Sequence, residues 1–412
     1  MLRLILSPSV GGTAGYLYDA VAALASSGGE AVLIVPEQYS FAAERIVLER
    51  LGTADAQRVE VLSFTRLANT VFNSVGWDKG KRLNEAGKIL LMSRALEQCA
   101  DKLTVYARSA DSPAVVRELL VLSEEFCQCA ISSEDIVSAM NNMKEGLLKD
   151  KLGDISLVFS VYDSFVSDGW LDDSRMLTRL KDKLAESGYF KNKTVFFDSF
   201  RGFTAQEFGI IAKILTQADD VCVALNAPDL TDVGSDDIFY HTKNTAKKLI
   251  KIANSVDVPC AKPVTVNEPN SDAALDALAK DFLSPEADVF EGECGSIAVV
   301  AAPDIRSECA FIAAQIKKML RTGEYRSRDI AVIVRDDKSY IRPMMTALAK
   351  CGVPVFEDRR QPVINQPLMT LVRAALKIAD TGFDTDSVLR ALKTGLCPLE
   401  ADEVSDIENY TY

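Results

Sequence analysis

Strands that alternate with helices, and then stop alternating, constrain this chain more than any other feature. Leu2-Arg3-Leu4-Ile5-Leu6 is a short apolar run, Ser7-Pro8-Ser9-Val10-Gly11-Gly12-Thr13 breaks it, and Tyr16, Leu17, Ala20, Val21 and Leu24 recur at helical spacing. Ala31-Val32-Leu33-Ile34-Val35 reads as a second buried strand ended by Pro36, and residues 41–51 as a helix. Val59-Glu60-Val61-Leu62-Ser63-Phe64 is a third strand, after which Thr65 starts another helix. Strands alternating with helices predict a parallel sheet with helices on both faces, an α/β fold.

The alternation lapses near residue 80. From Asn84 to Ser187 apolar residues recur at helical spacing, as in Val115, Val116, Leu119, Leu120, Leu122 and Phe126, with little strand signal. At Lys193 the alternation returns with the strand Thr194-Val195-Phe196-Phe197-Asp198, a helix over 205–215 and the strand Asp220–Leu225. The expected organisation is a first α/β domain from residues 1–80 and 190–290, with 81–189 as an inserted helical domain. Residues 295–360 read as the start of a second α/β domain, with strands at Ser296–Ala301, Asp329–Val334 and Val353–Phe356. Residues 361–412 start a further helical segment. A second sheet that has only begun reads as part of a longer protein.

Composition removes several chemistries. The 412 residues hold one histidine, His241, which leaves little room for a Ser-His-Asp triad, a Cys-His protease or a His-rich metal site. His241 itself reads as an ordinary surface or boundary residue. Nine cysteines at 99, 127, 129, 222, 260, 294, 309, 351 and 397 include no Cys-x-x-Cys pair. Cys127 and Cys129 in a helix would point about 200° apart, which is poor metal geometry. These scattered cysteines read as buried thiols in a reducing compartment, and no metal ligand set is assigned. No run approaches the ~18 apolar residues of a membrane span, so a cytoplasmic protein without membrane contact is expected. The net charge of −13 gives no general affinity for nucleic acid, although binding depends on where charges sit.

Two places invite comparison with nucleotide chemistry. A phosphate loop reads Gly-x-x-x-x-Gly-Lys-Ser/Thr, because backbone N–H groups wrap phosphate, Lys reaches the outer phosphates and the hydroxyl binds Mg²⁺. Here Ser9, Gly11, Gly12 and Thr13 occupy that place, with Thr13 where Lys belongs and Ala14 where the hydroxyl belongs. A tight strand-to-helix turn explains the same residues. Nucleotide hydrolases also need a strand ending in an acid for the metal and a Glu to position water. Asp198 is such an acid, followed by Ser199 in place of Glu, and equally suits a helix N-cap or a turn.

In this order the residues resemble the UvrD-like helicases, and more closely the AddB-type subunit of the AddAB ATP-dependent helicase–nuclease. The resemblance rests on Leu33-Ile34-Val35-Pro36-Glu37-Gln38-Tyr39-Ser40-Phe41, on Val61-Leu62-Ser63-Phe64-Thr65-Arg66-Leu67-Ala68 and on Phe197-Asp198-Ser199-Phe200-Arg201-Gly202-Phe203-Thr204-Ala205-Gln206-Glu207-Phe208. It continues with Glu308 after Ala301-Ala302-Pro303, Asp329-Ile330-Ala331-Val332-Ile333-Val334-Arg335 and Asn365-Gln366-Pro367-Leu368. It implies a P-loop NTPase fold of UvrD-like type, an AddA-type partner subunit in a heterodimer, and processing of double-strand DNA ends for recombinational repair. It also implies ATP and Mg²⁺ in the complex, and a 4Fe-4S cluster in a carboxyl-terminal nuclease domain that none of these residues forms.

The resemblance places single-stranded DNA against Gln38, Ser40, Phe41, Ser63, Phe64, Thr65 and Arg66. Against this, Phe41 and Phe64 also suit a core, and Thr65 a helix N-cap. Arg66 sits poorly in a first helical turn as a cap partner, because its charge opposes the helix dipole, and this makes it a phosphate candidate. Arg335 corresponds to an arginine that reaches nucleotide between two α/β domains, or else to an interdomain ion-pair residue. The clusters Lys79–Arg82, Lys243–Lys251 and Lys317–Arg328 read as solvated faces or local phosphate contacts. The expected function is a degenerate, non-hydrolysing helicase module with no catalytic residue of its own, guiding single-stranded DNA beside a motor subunit. An active ATP-dependent helicase and a scaffold without DNA contact are the alternatives.

Overall fold

The computed structural model describes residues 1–232, 234–266, 272–282, 288–357 and 363–411. The chain divides into two units, Met1–Pro285 and Glu286–Tyr412.

The first unit opens with β1 (Leu2–Ser7), α1 (Val10–Ser26), β2 (Glu30–Ile34), α2 (Ser40–Ala56), β3 (Val59–Leu62) and α3 (Phe64–Val75). The helical block follows: β4 (Lys81–Arg82), α4 (Glu85–Cys99), α5 (Pro113–Gln128), α6 (Ser133–Asn141), α7 (Leu147–Ser167), β5 (Trp170–Leu171) and α8 (Met176–Ser187). The alternation then resumes with β6 (Lys193–Phe197), α9 (Ala205–Gln217), β7 (Asp220–Asn226), α10 (Tyr240–Ser255), β8 (Val264–Thr265) and α11 (Ala273–Asp281). Six strands form one sheet in the order β3-β2-β6-β7-β1-β8, every pairing parallel. The fold is α/β, as the alternation predicts.

Side chains alternate faces along each strand, with a period of two. Leu4, Val32, Ile34, Val195, Phe197, Val221 and Val223 point to the face covered by α3, α8, α9 and α10. Ile5, Ala31, Leu33, Phe196 and Cys222 point to the other, where Leu17, Tyr18 and Val21 of α1 and Ala43 and Val47 of α2 cover them. The strands thus feed helices on both faces, and the crevice for a ligand in such a sheet lies at the carboxyl ends of its strands.

The inserted block has its own core, including Met92, Leu96, Leu119, Leu120, Val158 and Tyr162. The short β4–β5 ladder pairs Lys81 with Trp170 and Arg82 with Leu171 where the chain enters and leaves it. The buried Lys88 ammonium bridges Glu124 at 2.7 Å and Asp172 at 3.1 Å, tying the block's outgoing segment to α4. Packing ends the block earlier than the sequence pattern suggests: Leu180 and Leu184 of α8 belong to the sheet core, not to the helical one.

The second unit contains α12 (Ile305–Thr322), α13 (Asp337–Lys350), α14 (Pro367–Thr381), α15 (Thr385–Leu392) and α16 (Ala401–Thr411). Cys309, Ala313 and Ile316 of α12 pack with Met344 and Leu348 of α13, and Tyr340 Oη donates to Glu308 Oε2 at 2.7 Å. The three strands expected here do not form: among the described residues of this unit no strand ladder is present. Ile330 and Val353 join the two-helix core, whereas Val299, Ile333 and Phe356 face solvent. A parallel sheet needs cover on both faces, and in these segments only one side meets the helices.

The cysteines also differ from expectation. All nine are free thiols, but only Cys99, Cys222 and Cys309 are buried; Cys129, Cys260 and Cys294 are exposed. No helix among the described residues is long and apolar enough to cross a membrane.

Candidate functional site

The turn after β1 is shorter than a phosphate loop. Only Pro8 and Ser9 separate β1 from α1, so Gly11 and Gly12 fall inside the helix. Ser9 is the N-cap, with its Oγ accepting from Gly12 N at 3.2 Å, while Ser7 Oγ accepts from Ser9 N at 3.2 Å. Gly12 has a packing reason to be glycine: a Cβ there would stand 2.7 Å from Ser7 Oγ, and Ser7 is fully buried. Thr13, which stands where a phosphate-loop lysine would, is buried. Successive N–H groups around a wide loop are what cradle phosphate, and here Ser9 already caps the Gly12 N–H.

Asp198 directly follows β6 and donates its N–H to Ile34 O at 3.1 Å. It is not a helix N-cap. Thr204 caps α9, in a reciprocal capping box with Glu207. The Asp198 carboxylate is 2% exposed and accepts from Ser199 Oγ at 3.3 Å. Ser199 itself adopts a left-handed φ of 64°. Burial pushes the Asp198 carboxyl above its ordinary range, and hydrogen bonds from the Ser199 backbone and side chain only partly offset this. Two tyrosines without a sequence signal share the site. Burial raises both Tyr18 and Tyr39, and the Asp198 charge adds to the effect. The buried Tyr18 hydroxyl feels Asp198 and Tyr39 yet makes no hydrogen bond of full geometry.

These residues do not fit a Mg²⁺-nucleotide. No lysine reaches out from the turn, Ala14 stands where the Mg²⁺-binding hydroxyl belongs, and the one acid is buried and held toward its neutral form. Because folding raises the Asp198 pKa above its ordinary 3.8, the unfolded chain loses this proton first. Stability contributed by the site is then lost as pH rises through the raised value. Asp198→Asn is therefore expected to be more stable than the parent at about pH 8, and to lose that advantage as pH falls toward 4. Urea midpoints measured across this range check the trend, and an advantage that does not change with pH would contradict it.

Seven residues implied to face DNA separate into two groups. Ser40 is buried and its Oγ donates to Glu37 O at 2.7 Å. Ser63 is buried, accepts from Arg66 N at 3.2 Å as the N-cap of α3, and donates to the Glu37 carboxylate. Ser63 thus displaces Thr65 from the capping role. Phe64 is 6% exposed and packs among Phe197, Phe200 and Phe203, so it offers no face to a base. Gln38, Phe41, Thr65 and Arg66 lie at the surface. Phe41 is 77% exposed, which removes it from the core. Arg66 Nη1 bonds Glu44 Oε1 at 2.5 Å, and Glu44 lies one helical turn beyond Phe41 on α2. That pair brings Phe41 and Arg66 to one surface, and as a half-exposed pair it is worth about 1 kcal/mol or less, so a phosphate can compete for the guanidinium. Glu37, which ties the end of β2 to the start of α3, carries no signal of its own beyond its place in the 33–41 segment.

Arg335 lies in the second unit and is exposed. It follows no strand, and lines a cavity of about 530 Å³ with Glu308 and Tyr340. The basic segment of α10 is not uniformly solvated either: Lys243 is buried, pairing with Asp229 at 3.1 Å and Asp237 at 3.4 Å. Among the described residues no group of three or more His, Cys, Asp or Glu could hold a metal ion.

A family profile described as "ADDB, N-terminal" matches residues 4–279. The chain belongs to the AddB family. The matched stretch takes in most of the first unit of this AddB-family chain, with nearly all of the sheet, the inserted helices and the Asp198 site. One relative is the B subunit of the ATP-dependent helicase/deoxyribonuclease of Caldanaerobacter subterraneus. It is 30% identical over 387 residues, covering 92% of this chain and 33% of the relative. The protein of the same name from Clostridium novyi is 30% identical over 384 residues, covering 92% of this chain and 34% of its own. That of Clostridium acetobutylicum is 28% identical over 417 residues, covering 99% of this chain and 36% of the relative. This AddB-family chain thus spans about a third of the length of the relatives it matches.

Proposed function

We propose that this chain is a DNA-handling, helicase-like module of a cytoplasmic complex that processes double-strand DNA ends for recombinational repair. In this reading it does not hydrolyse ATP. It holds single-stranded DNA at the surface made by Gln38, Phe41, Thr65 and Arg66, and the ATP-driven work falls to an AddA-type partner. The second unit is then the beginning of a second helicase-like domain, in which Arg335 is an interdomain residue. The relatives' names support the setting. The observation that carries the reading is the pairing of a closed turn after β1 with an exposed aromatic and arginine just beyond the ends of β2 and β3. Lacking Lys, the Mg²⁺ hydroxyl and the water-positioning Glu, the site omits several kcal/mol of transition-state stabilisation.

The double variant Phe41→Ala/Arg66→Ala tests the surface. Stacking on an aromatic is worth about 1–3 kcal/mol per base, so loss of both groups is expected to weaken binding of a short oligothymidylate by at least about tenfold. Fluorescence anisotropy reads this directly. A scaffold without DNA contact would bind no oligonucleotide before or after the change.

A further inference from the structure

A groove at the start of α10 collects positive charge in an acidic chain. It is about 750 Å³ in volume, and no Asp or Glu lines it. Arg201 comes from the loop after β6, and Lys248 and Lys251 from α10. None of these three has an ion-pair partner among the described residues, whereas Lys247 beside them is paired with Asp232. His241, Asn244, Lys248 and Lys251 recur at intervals of three and four, which places them on one face of α10 over about 15 Å.

The groove is built rather than incidental. Thr245 Oγ1, on a buried residue, reaches both Arg201 O at 3.3 Å and His241 O at 2.9 Å. A Cβ on Gly202 would stand 3.2 Å from that same oxygen, so a glycine there lets the loop close onto the helix and fixes Arg201 beside the lysines. Aromatic side chains line the groove as well. Phe203 and Phe208 pack edge to face at 5.5 Å, and the Lys248 ammonium stands 5.6 Å from the Phe208 ring centre. Tyr240 also lines the groove.

We propose that this groove is a second binding track for single-stranded DNA, in which Arg201, Lys248 and Lys251 hold phosphates and Tyr240 meets a base. Unpaired cations in helical register beside aromatic side chains are the combination that binds single strands without reading sequence. Small anions would need the cations alone, and an acidic protein would have no use for aromatic rings interleaved with them. The inference rests on the proposed function only in taking DNA as the polyanion, since it uses none of the residues beyond the ends of β2 and β3.

The experiment titrates the 412-residue chain with fluorescein-labelled oligothymidylate at several NaCl concentrations. It compares the parent, Arg201→Ala/Lys248→Ala/Lys251→Ala and Phe41→Ala/Arg66→Ala, with circular dichroism confirming that each folds. Each phosphate left without its cation lowers the slope of log affinity against log salt by about 0.7 for a single strand, so the triple variant is expected to lose about two units of slope and at least about tenfold in affinity at low salt. A triple variant within twofold of the parent, with the same slope, overturns the groove while leaving the Phe41 surface standing. A double variant that binds like the parent while the triple variant fails overturns the Phe41 surface and supports the groove. A parent that binds no oligonucleotide overturns both. Competition by polyglutamate as effective as by unlabelled oligonucleotide overturns the assignment to nucleic acid.

Discussion

Phe197→Ala is expected to cost the first unit about 3–5 kcal/mol of folding stability, the range for truncating a buried phenylalanine. Phe197 is fully buried in β6, paired in register with Ile34 on one side and Val223 on the other. Its ring lies 6.3 Å from Phe64, 6.3 Å from Phe200 and 5.7 Å from Phe203. Truncation therefore opens a cavity where α3, the loop after β6 and the sheet meet. A strand backbone hydrogen-bonded on both sides cannot collapse to fill it, and this argues for the upper part of the range. The effect should also reach function, because Phe64 begins the helix that carries Thr65 and Arg66. Urea unfolding followed by tyrosine and tryptophan fluorescence gives the number. A loss below about 1 kcal/mol would mean that the ring does not hold the junction.

Asp154→Ala is expected to cost the inserted helical block about 3 kcal/mol, for a different reason. Asp154 is buried on α7 and accepts hydrogen bonds from three successive backbone N–H groups. Thr104 N lies at 2.9 and 3.1 Å from its two oxygens, Val105 N at 2.7 Å and Tyr106 N at 3.0 Å. Removing the carboxylate strands three donors in a partly buried turn, and an unsatisfied donor costs roughly 1–3 kcal/mol where water cannot replace the missing acceptor. Asp154→Asn separates the charge from the hydrogen bonding. It keeps the size, and its one amide oxygen at the Oδ2 position can still accept from the Thr104, Val105 and Tyr106 N–H groups while its NH₂ meets only the Thr104 N–H, so it should retain much of the stability that alanine loses. Amide exchange at residues 104–106 should quicken most in the alanine variant. An alanine variant as stable as the parent would show that the turn is held by packing alone.

Most of the first unit was legible because its strands are short apolar runs bounded by Pro and Gly, and its helices carry apolar stripes. The position of Asp198 at a strand end was legible for the same reason. What escaped depended on where each helix begins. Ser9 is a strong N-cap, so α1 starts at once and takes both glycines into its first turn, which closes the site that a sequence motif would open. The segments Tyr39-Ser40-Phe41 and Leu62-Ser63-Phe64 look alike in sequence and behave oppositely. A turn of 3₁₀ helix at Glu37–Tyr39 precedes α2 and leaves Phe41 facing solvent, whereas Ser63 caps α3 directly after β3 and Phe64 tucks under the sheet. In the second unit, apolar runs that read as strands lack the neighbours that would make them a sheet. The α10 lysines were visible as a charge run, but only folding shows that Lys243 is buried and paired while Lys248 and Lys251 line the groove beside Arg201.

Holding single-stranded DNA without nucleotide chemistry is the central claim for this chain. One titration tests it: labelled oligothymidylate binding at fixed Mg²⁺, with and without saturating ATP, at low and high salt. The expected result is binding that weakens steeply with salt and is the same in both nucleotide conditions. Absence of binding, or an affinity that ATP shifts severalfold, would contradict it.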